Sequence, residues 1–488
     1  SSQVDAAKLG SRGIGLAKEA RKDYVLAYAQ WGSGDKAPAE FKQVAEDANN
    51  LRQMLERLAD IYYGDGKDRD AILTYQTLMK LAPDSTKNAL YQGKIVKLAS
   101  RIGEKRQVVG QARKLLDEYK RVRNINAGLK EGDPKKDEVT SDLRAADDLS
   151  DNTLRYLATT WHNEAKKTLQ TETFEYSYEL YGDYLDLFPE RKESYEMRFF
   201  YAELLFRLEK FEQAGEQYVK VYLGDKKGKW AEPSAEEAVR SYDEVVKDFD
   251  RANKGKAAAP GEALKERPIP EVKMKLIAAS KNYIEAYPKG KISTEAEYKI
   301  ARVLWEYNYF KDSTPRFLEF VDRYPEHMKI AGNDAALKER VEARTTQAAN
   351  LALDTYAQLE DHENINKTAR SFLKYSYLTK NEDFLKVLKE VIENSSFKLI
   401  QKYETDKQWD EAAKRYLAFT DEFPKSVYAD KALANAAAMF TRAGQLVQHV
   451  DEGGDRLLVR VASTQRLRLR EGSARARHRI ARIERGRL

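Results

Sequence analysis

"KIARVLWEYNYFKDSTPRFLEFVDRYP" occupies Lys299–Pro325 and reads as two short amphipathic helices closed by an aromatic–proline pair. Ile300, Ala301 and Leu304 recur at helical spacing on the first segment; Ser313, Phe317 and Phe320 do so on the second. A small residue on the second helix lets the first approach closely, and an aromatic four residues later fills the groove beside it. Proline then ends the second helix, because it cannot continue the hydrogen-bond ladder. The same closing pair returns at Phe188-Pro189, Tyr287-Pro288 and Phe423-Pro424, which predicts a repeat rather than an active-site motif.

Other segments keep most of these positions. Leu55, Leu58, Ala59 and Tyr62 precede Ala71, Tyr75, Leu78 and Pro83. Tyr201, Ala202 and Leu205 precede Ala214, Tyr218 and Val221; Leu399 and Tyr403 precede Ala412, Tyr416, Phe419 and Pro424. A degenerate copy ending at Pro189 supplies Trp161, Ala165, Ser177, Tyr181 and Tyr184. Each pair of helices leaves an apolar face that only the next pair covers, so the copies are expected to stack.

These residues carry a resemblance to tetratricopeptide-repeat (TPR) proteins, which implies an all-α superhelix of helical hairpins, a solenoid. The idiom in "FPKSVYADKALANAAAMF" (423–440) and "YPKGKISTEAEYKIA" (287–301) resembles the subtype of BamD-like outer-membrane assembly lipoproteins and of the periplasmic Tol–Pal-associated coordinator. That resemblance implies a bacterial scaffold for protein–protein interaction in the periplasm or at the outer membrane.

Composition agrees with an all-α chain. Of 488 residues, only 12 are proline and 25 glycine, against 29 tyrosines, and helix formers dominate. With 34% charged and 42% hydrophobic residues and a mean hydropathy of −0.72, the chain has enough apolar content to build cores. No stretch approaches the roughly 18 consecutive apolar residues of a membrane helix; "ALANAAAMF" (432–440) is the most apolar run. The net charge of +6 comes from 85 basic and 79 acidic residues, so nucleic acid is not demanded as a partner.

Cysteine is absent, which excludes disulfides, cysteine-ligated zinc and a thiol nucleophile, and leans towards an oxidising compartment. The opening "SSQVDAA" has no Met, so the chain is expected to be processed or trimmed, and any signal peptide or lipidated N-terminal Cys would already be missing.

Four regions are expected: residues 1–140, helical with one good repeat and a polar connection, "NAGLKEGDPKKDEVT" (126–140); 141–270, repeats ending in the linker "DRANKGKAAAPGEALKERPIP" (250–270); 271–445, further repeats; and 446–488, an Arg-rich tail. Between residues 335 and 397 the helices are expected to be long or the repeats degenerate. The tail changes dialect. No lysine follows Lys431 and no aromatic follows Phe440, while arginines crowd 466–488. A first helix has just passed through Ala437 and Phe440 to a turn at Gly444, yet His449 stands where a small residue belongs. Three readings fit: a shifted reading frame from about Gln445, a basic helix for an anionic partner, or a solvated charged helix.

Chemistry-bearing patterns are weak. The five histidines (162, 327, 362, 449 and 478) share no two-ligand spacing. "GDGKDRD" (64–70) lacks the terminal Glu of a calcium loop and is expected as an inter-helix turn; "GSRGIG" (10–15) lacks the Lys-Ser/Thr of a phosphate loop. No enzyme, metal or cofactor is expected.

The resemblance implies that first helices line the groove where partner segments bind. The contact residues expected there are Tyr63, His162, Lys166, Phe199, Phe206, Tyr298, Arg302, Trp305 and Glu306. Alternatives are core packing for the aromatics, a cytosolic adaptor of the same fold, and a nucleic-acid or membrane-surface binder acting through the tail.

Overall fold

The computed structural model describes residues 2–254, 264–444, 447–451 and 457–461, with backbone alone for 2–15 and the last two segments. Two units divide the chain, Ser1–Asp248 and Phe249–Leu488.

The first unit runs α1 (Ser2–Trp31), α2 (Ala37–Lys42), α3 (Ala48–Gly64), α4 (Asp68–Leu81), α5 (Asn88–Ile102), α6 (Lys105–Gly128), α7 (Pro134–Thr168), α8 (Thr171–Leu187), α9 (Lys192–Arg207), α10 (Phe211–Gly224) and α11 (Ala231–Ala252), whose last residues belong to the second. Consecutive helices pair as hairpins, and α5 packs on α7 while α6 packs on α8. First helices thus neighbour first helices, the order that tandem stacking requires. One core gathers Leu55, Leu58, Tyr62 and Tyr75; another gathers Val108, Leu154, Trp161 and Tyr184.

The second unit continues with α12 (Glu271–Ala286), α13 (Ser293–Glu306), α14 (Phe310–Asp322), α15 (Tyr324–Ala331), α16 (Ala335–Gln358), α17 (His362–Phe372), α18 (Ser376–Thr379), α19 (Glu382–Thr405), α20 (Trp409–Glu422) and α21 (Ala429–Arg442). Here α13 packs against α12, α14 and α16, and α20 against α19 and α21. Phe317, Phe320, Ala349 and Phe372 share one core; Phe397, Tyr416 and Phe440 share the next. Each unit is all-α in its described helices, built as a tetratricopeptide-like array of hairpins.

The hairpin turn is a local device repeated along the chain. Gly66, Glu209, Asn308, Glu360 and Lys407 all adopt positive φ, between 53° and 72°, two residues before the first residue of the second helix. In each case the following amide reaches back five residues to a carbonyl: Lys67 to Tyr62, Lys210 to Leu205, Tyr309 to Leu304, Asp361 to Tyr356 and Gln408 to Tyr403, all at 2.9–3.0 Å. This is the left-handed helix stop that satisfies the last carbonyls. Only one of the five is glycine, so four side chains accept a disfavoured backbone that the surrounding packing holds in place.

The closing prolines act through the residue before them. Ala82, Phe188, Tyr287 and Phe423 lie at φ −122° to −138° and ψ 55° to 71°, outside the helical region that a following proline disfavours. Their helices therefore stop two residues before the proline. Pro325 behaves differently: it sits in the first turn of α15, where a missing amide costs nothing.

Three expectations are refined by the structure. Residues 126–140 are mostly helical: α6 continues to Gly128, and Asp133 caps α7 by accepting from the Lys135 amide at 2.9 Å with Pro134 in the first turn. A boundary at 140 would cut α7, whose polar N-terminal residues resemble a linker only in composition. In the degenerate copy the turn residue is Leu169 (φ 59°), twenty residues before Pro189, against seventeen from Gly66 to Pro83. The second helix there is one turn longer, and its packing residues shift with it. Beyond Gly444 the described backbone is a two-stranded antiparallel hairpin, Val447–Asp451 with Leu457–Val461, in place of a second helix. Residues 462–488, with most of the arginine-rich stretch, lie outside the described residues.

Candidate protein-interaction face

The turn residue gives every hairpin a common register and sorts the candidate contact residues by place. Tyr63, Lys166, Phe206 and Trp305 each stand three residues before their turn residue, on the last turn of a first helix. Lys166 is exposed and the three aromatics are half-buried. Tyr63 has cations of α5 around its ring: Lys97 and Arg101 at 5.6 Å and Lys94 at 5.8 Å from the centroid. Phe206 meets Phe211 edge-on across its turn. The Trp305 indole donates to Thr355 Oγ1 at 3.0 Å, tying α13 to α16.

His162, Phe199 and Tyr298 are not surface residues, which corrects their assignment to an exposed face. They lie seven or ten residues before their turn residues, further back along the first helix, where neighbouring helices cover them. Phe199 stacks on Trp230 at 4.1 Å. His162 is 3% exposed, with Nδ1 3.2 Å from the Tyr181 hydroxyl, and burial pushes its pKa down to about 4. Tyr298 is 2% exposed; its hydroxyl donates to Gln347 at 3.0 Å, and Arg344 lies 4.6 Å above its ring. The alternative reading, core packing, holds for these three.

Arg302 is exposed and Glu306 is partly buried, and both belong to a charged stripe. Along α13, Glu295, Lys299, Arg302 and Glu306 follow one another at helical spacing. Glu295 accepts from Arg344 Nη2 at 2.8 Å and Nε at 3.0 Å, and lies 3.3 Å from Lys299. Glu306 accepts from Arg302 at 3.0 Å and from Lys273 at 2.8 Å.

Lys273 went unnoticed in the sequence. It is 3% exposed and also reaches Asp250 at 2.8 Å. Burial works against its charge, but the hydrogen bonds to Asp250 and Glu306 outweigh it and hold the pKa above the ordinary lysine value. Arg267 adds a bond to the Glu306 carbonyl, and both cations lie 5.2 Å from the Tyr307 ring. No periodicity flags such a network, because Asp250 and Arg267 lie before the hairpin that they brace.

In the first unit a cleft of about 760 Å³ opens between α1 and α3, with Lys18, Arg21, Lys22 and Arg57 around Val25 and Met54. Glu56 and Asp60 also line it, but both are engaged: Glu56 by Lys87, just before α5, and by Tyr91 of α5, and Asp60 by Lys94 of α5. Among the described residues no three His, Asp or Glu side chains gather as a metal site, and no helix is long and apolar enough to cross a membrane.

What these hairpins define is a class, the tetratricopeptide-like helical repeat. Among solved structures the chain is similar to the TPR domain of P58(IPK), at 13% identity over 87% of this chain and 98% of that one, with a TM-score of 0.23. It is also similar to an IFIT1 monomeric mutant with Gppp-AAAA, at 13% identity over 89% and 87%, with a TM-score of 0.25. Superpositions so loose align no individual residue, and the repeat assignment rests on the turn and packing geometry above. No family model matches the chain, and no curated relative matches it significantly.

Proposed function

We propose that this protein is a non-enzymatic scaffold that holds segments of partner proteins against the first-helix face of its hairpins. The observation that carries the reading is the recurrence of Tyr63, Phe206 and Trp305 at one register position, each left half-exposed by the core. Aromatic and arginine side chains bury much area on binding at little entropic cost, which suits them to anchor a partner. A stack of preformed hairpins also lowers the ordering cost of the bound segment. The partners are assigned to a bacterial envelope complex, in the periplasm or at the outer membrane. Support for that compartment comes from the aromatic–proline idiom and the absence of cysteine.

The test is site-specific photo-crosslinking in the native host. A crosslinking residue at Arg302, on the first-helix face, should capture defined proteins. One at Lys414, exposed on the second helix α20, should capture few. Equal capture at both sites, or at neither, would remove the proposed face. Envelope fractionation of the same cells decides the compartment, and recovery of the protein with cytosolic markers would favour the adaptor reading.

A further inference from the structure

Eleven residues before its turn residue, the first helix α9 carries Arg198, partly buried against the second helix α10. The same register position holds Leu55, Ala158, Ala349 and Ser396 in other hairpins, none of them charged. In the α13–α14 hairpin it holds Glu297, and there the charge is answered from within. Arg323, fifteen residues after the turn and at the end of α14, donates to both Glu297 oxygens at 3.1 and 3.2 Å. The matching position after the turn of the α9–α10 hairpin is Gly224, the last residue of α10. A charge is present, and the side chain that would neutralise it is missing.

Arg198 makes one hydrogen bond with its five N–H groups, from Nη1 to Gln217 Oε1 at 2.8 Å. Among the described residues no carboxylate forms an ion pair with it, and burial pushes its pKa below the ordinary arginine value. A guanidinium drawn out of water is costly without a counter-ion. The space beside Gly224 is open, since a Cβ there would meet no atom within 4 Å. That space belongs to a cleft of about 870 Å³ that Arg198 also lines, a size that suits a small molecule. Trp230 fixes one wall: its ring stacks on Phe199 at 4.1 Å, and its amide donates to the Tyr195 hydroxyl at 3.0 Å. The other wall charges are mixed in sign, with Lys192 and Lys220 beside Glu190 and Glu193, so a polyanion fits poorly. A single carboxylate or phosphate group needs only Arg198, whose planar fork matches two oxygens.

We propose that this cleft binds a small molecule through one oxyanion group, carboxylate or phosphate, which fills the space left by Gly224 and serves as the counter-ion of Arg198. The site is built from the start of α9, the end of α10 and the turn after it, and it does not depend on the reading of the first-helix face.

The probes are acetate and inorganic phosphate, each titrated into the full chain isotope-labelled at arginine, with sodium chloride holding the ionic strength constant. The Nε–H signal of Arg198, identified by its loss in Arg198→Gln, should shift to saturation with at least one probe. The tighter probe names the group. Gly224→Glu supplies the counter-ion from α10, as Arg323 does for Glu297. It should melt above the parent in chloride and bind the probes about tenfold or more weakly. Gly224→Ala leaves the guanidinium unpaired and should bind as the parent does.

Saturation by neither probe, unchanged affinity in Gly224→Glu, or an equal loss in Gly224→Ala and Gly224→Glu would overturn the proposal. So would an equal response to chloride alone, which marks general screening in place of a site.

Discussion

His327 Nε2 lies 3.8 Å from a carboxylate oxygen of Glu297, yet the imidazole is fully buried and stays neutral. Glu297 is turned towards Arg323, which holds both its oxygens at 3.1 and 3.2 Å, while Nδ1 of His327 sits 3.2 Å from Thr294 Oγ1. Burial, reinforced by the Arg323 charge, pushes the His327 pKa down to about 4.

A pH dependence follows. His162 and His327 both titrate near 4 in the folded chain and near 6.5 when unfolded, so the unfolded state takes up protons first as pH falls. Their contribution is fully present above pH 6.5 and is lost as pH drops towards 4. The expected loss between pH 7 and pH 5 is about 2 kcal/mol per histidine. Urea midpoints across that interval measure it, and a flat profile would contradict neutral buried imidazoles.

Lys273 should be the most sensitive charged residue of the second unit. Replacement by alanine leaves Glu306 and Asp250 without their shared cation and empties a buried stem. Both carboxylates keep some solvent contact, so the expected cost is about 2–3 kcal/mol, below that of a wholly buried pair. Lys273→Met keeps the stem packing and should cost less. Chemical denaturation of the two variants separates the ionic part from the packing part.

The small residue of the second helix predicts a steric penalty. Ala71 and Ala412 are fully buried against their first helices. Leucine at either position forces the hairpin open and should cost about 1–3 kcal/mol by overpacking. Tyr75→Phe, by contrast, removes a single hydrogen bond to Asp60, which keeps Lys94 at 2.6 Å, and should cost about 1 kcal/mol. Thermal melts that ranked Tyr75→Phe above Ala71→Leu in damage would refute this order.

The shifted-frame reading of the tail now makes a positional prediction. Gly444 has φ 76° and donates to Thr441 as Asn308 donates to Trp305, so the hairpin turn is in place. A second helix would then need a small residue at position 449, an aromatic at 453 and a proline at 461. The chain has His449, Gly453 and Val461. An alternative frame of the coding DNA should supply the missing pattern; if neither frame does, the tail is the chain's own.

The repeat was readable in the sequence because its signals are local. A pre-proline residue leaves the helical region, a small residue admits a neighbouring helix, and an aromatic four positions on fills the groove; none of these needs a distant part of the chain. Asp68–Pro83 shows all three, with Ala71, Tyr75 and Ala82, whereas Lys299–Pro325 shows the small residue and the aromatic but keeps Tyr324 helical. The burial of Tyr298 was not readable, since it depends on Gln347 and Arg344 from α16, about fifty residues away. The same holds for Phe199 under Trp230 and for Lys273 between Asp250 and Glu306. Helical period places a residue on a stripe, but which stripe meets solvent is decided by the helices that pack beside it. The sequence therefore determined the hairpins and their phase, and the tertiary structure decided which residues of each first helix remain free to meet a partner.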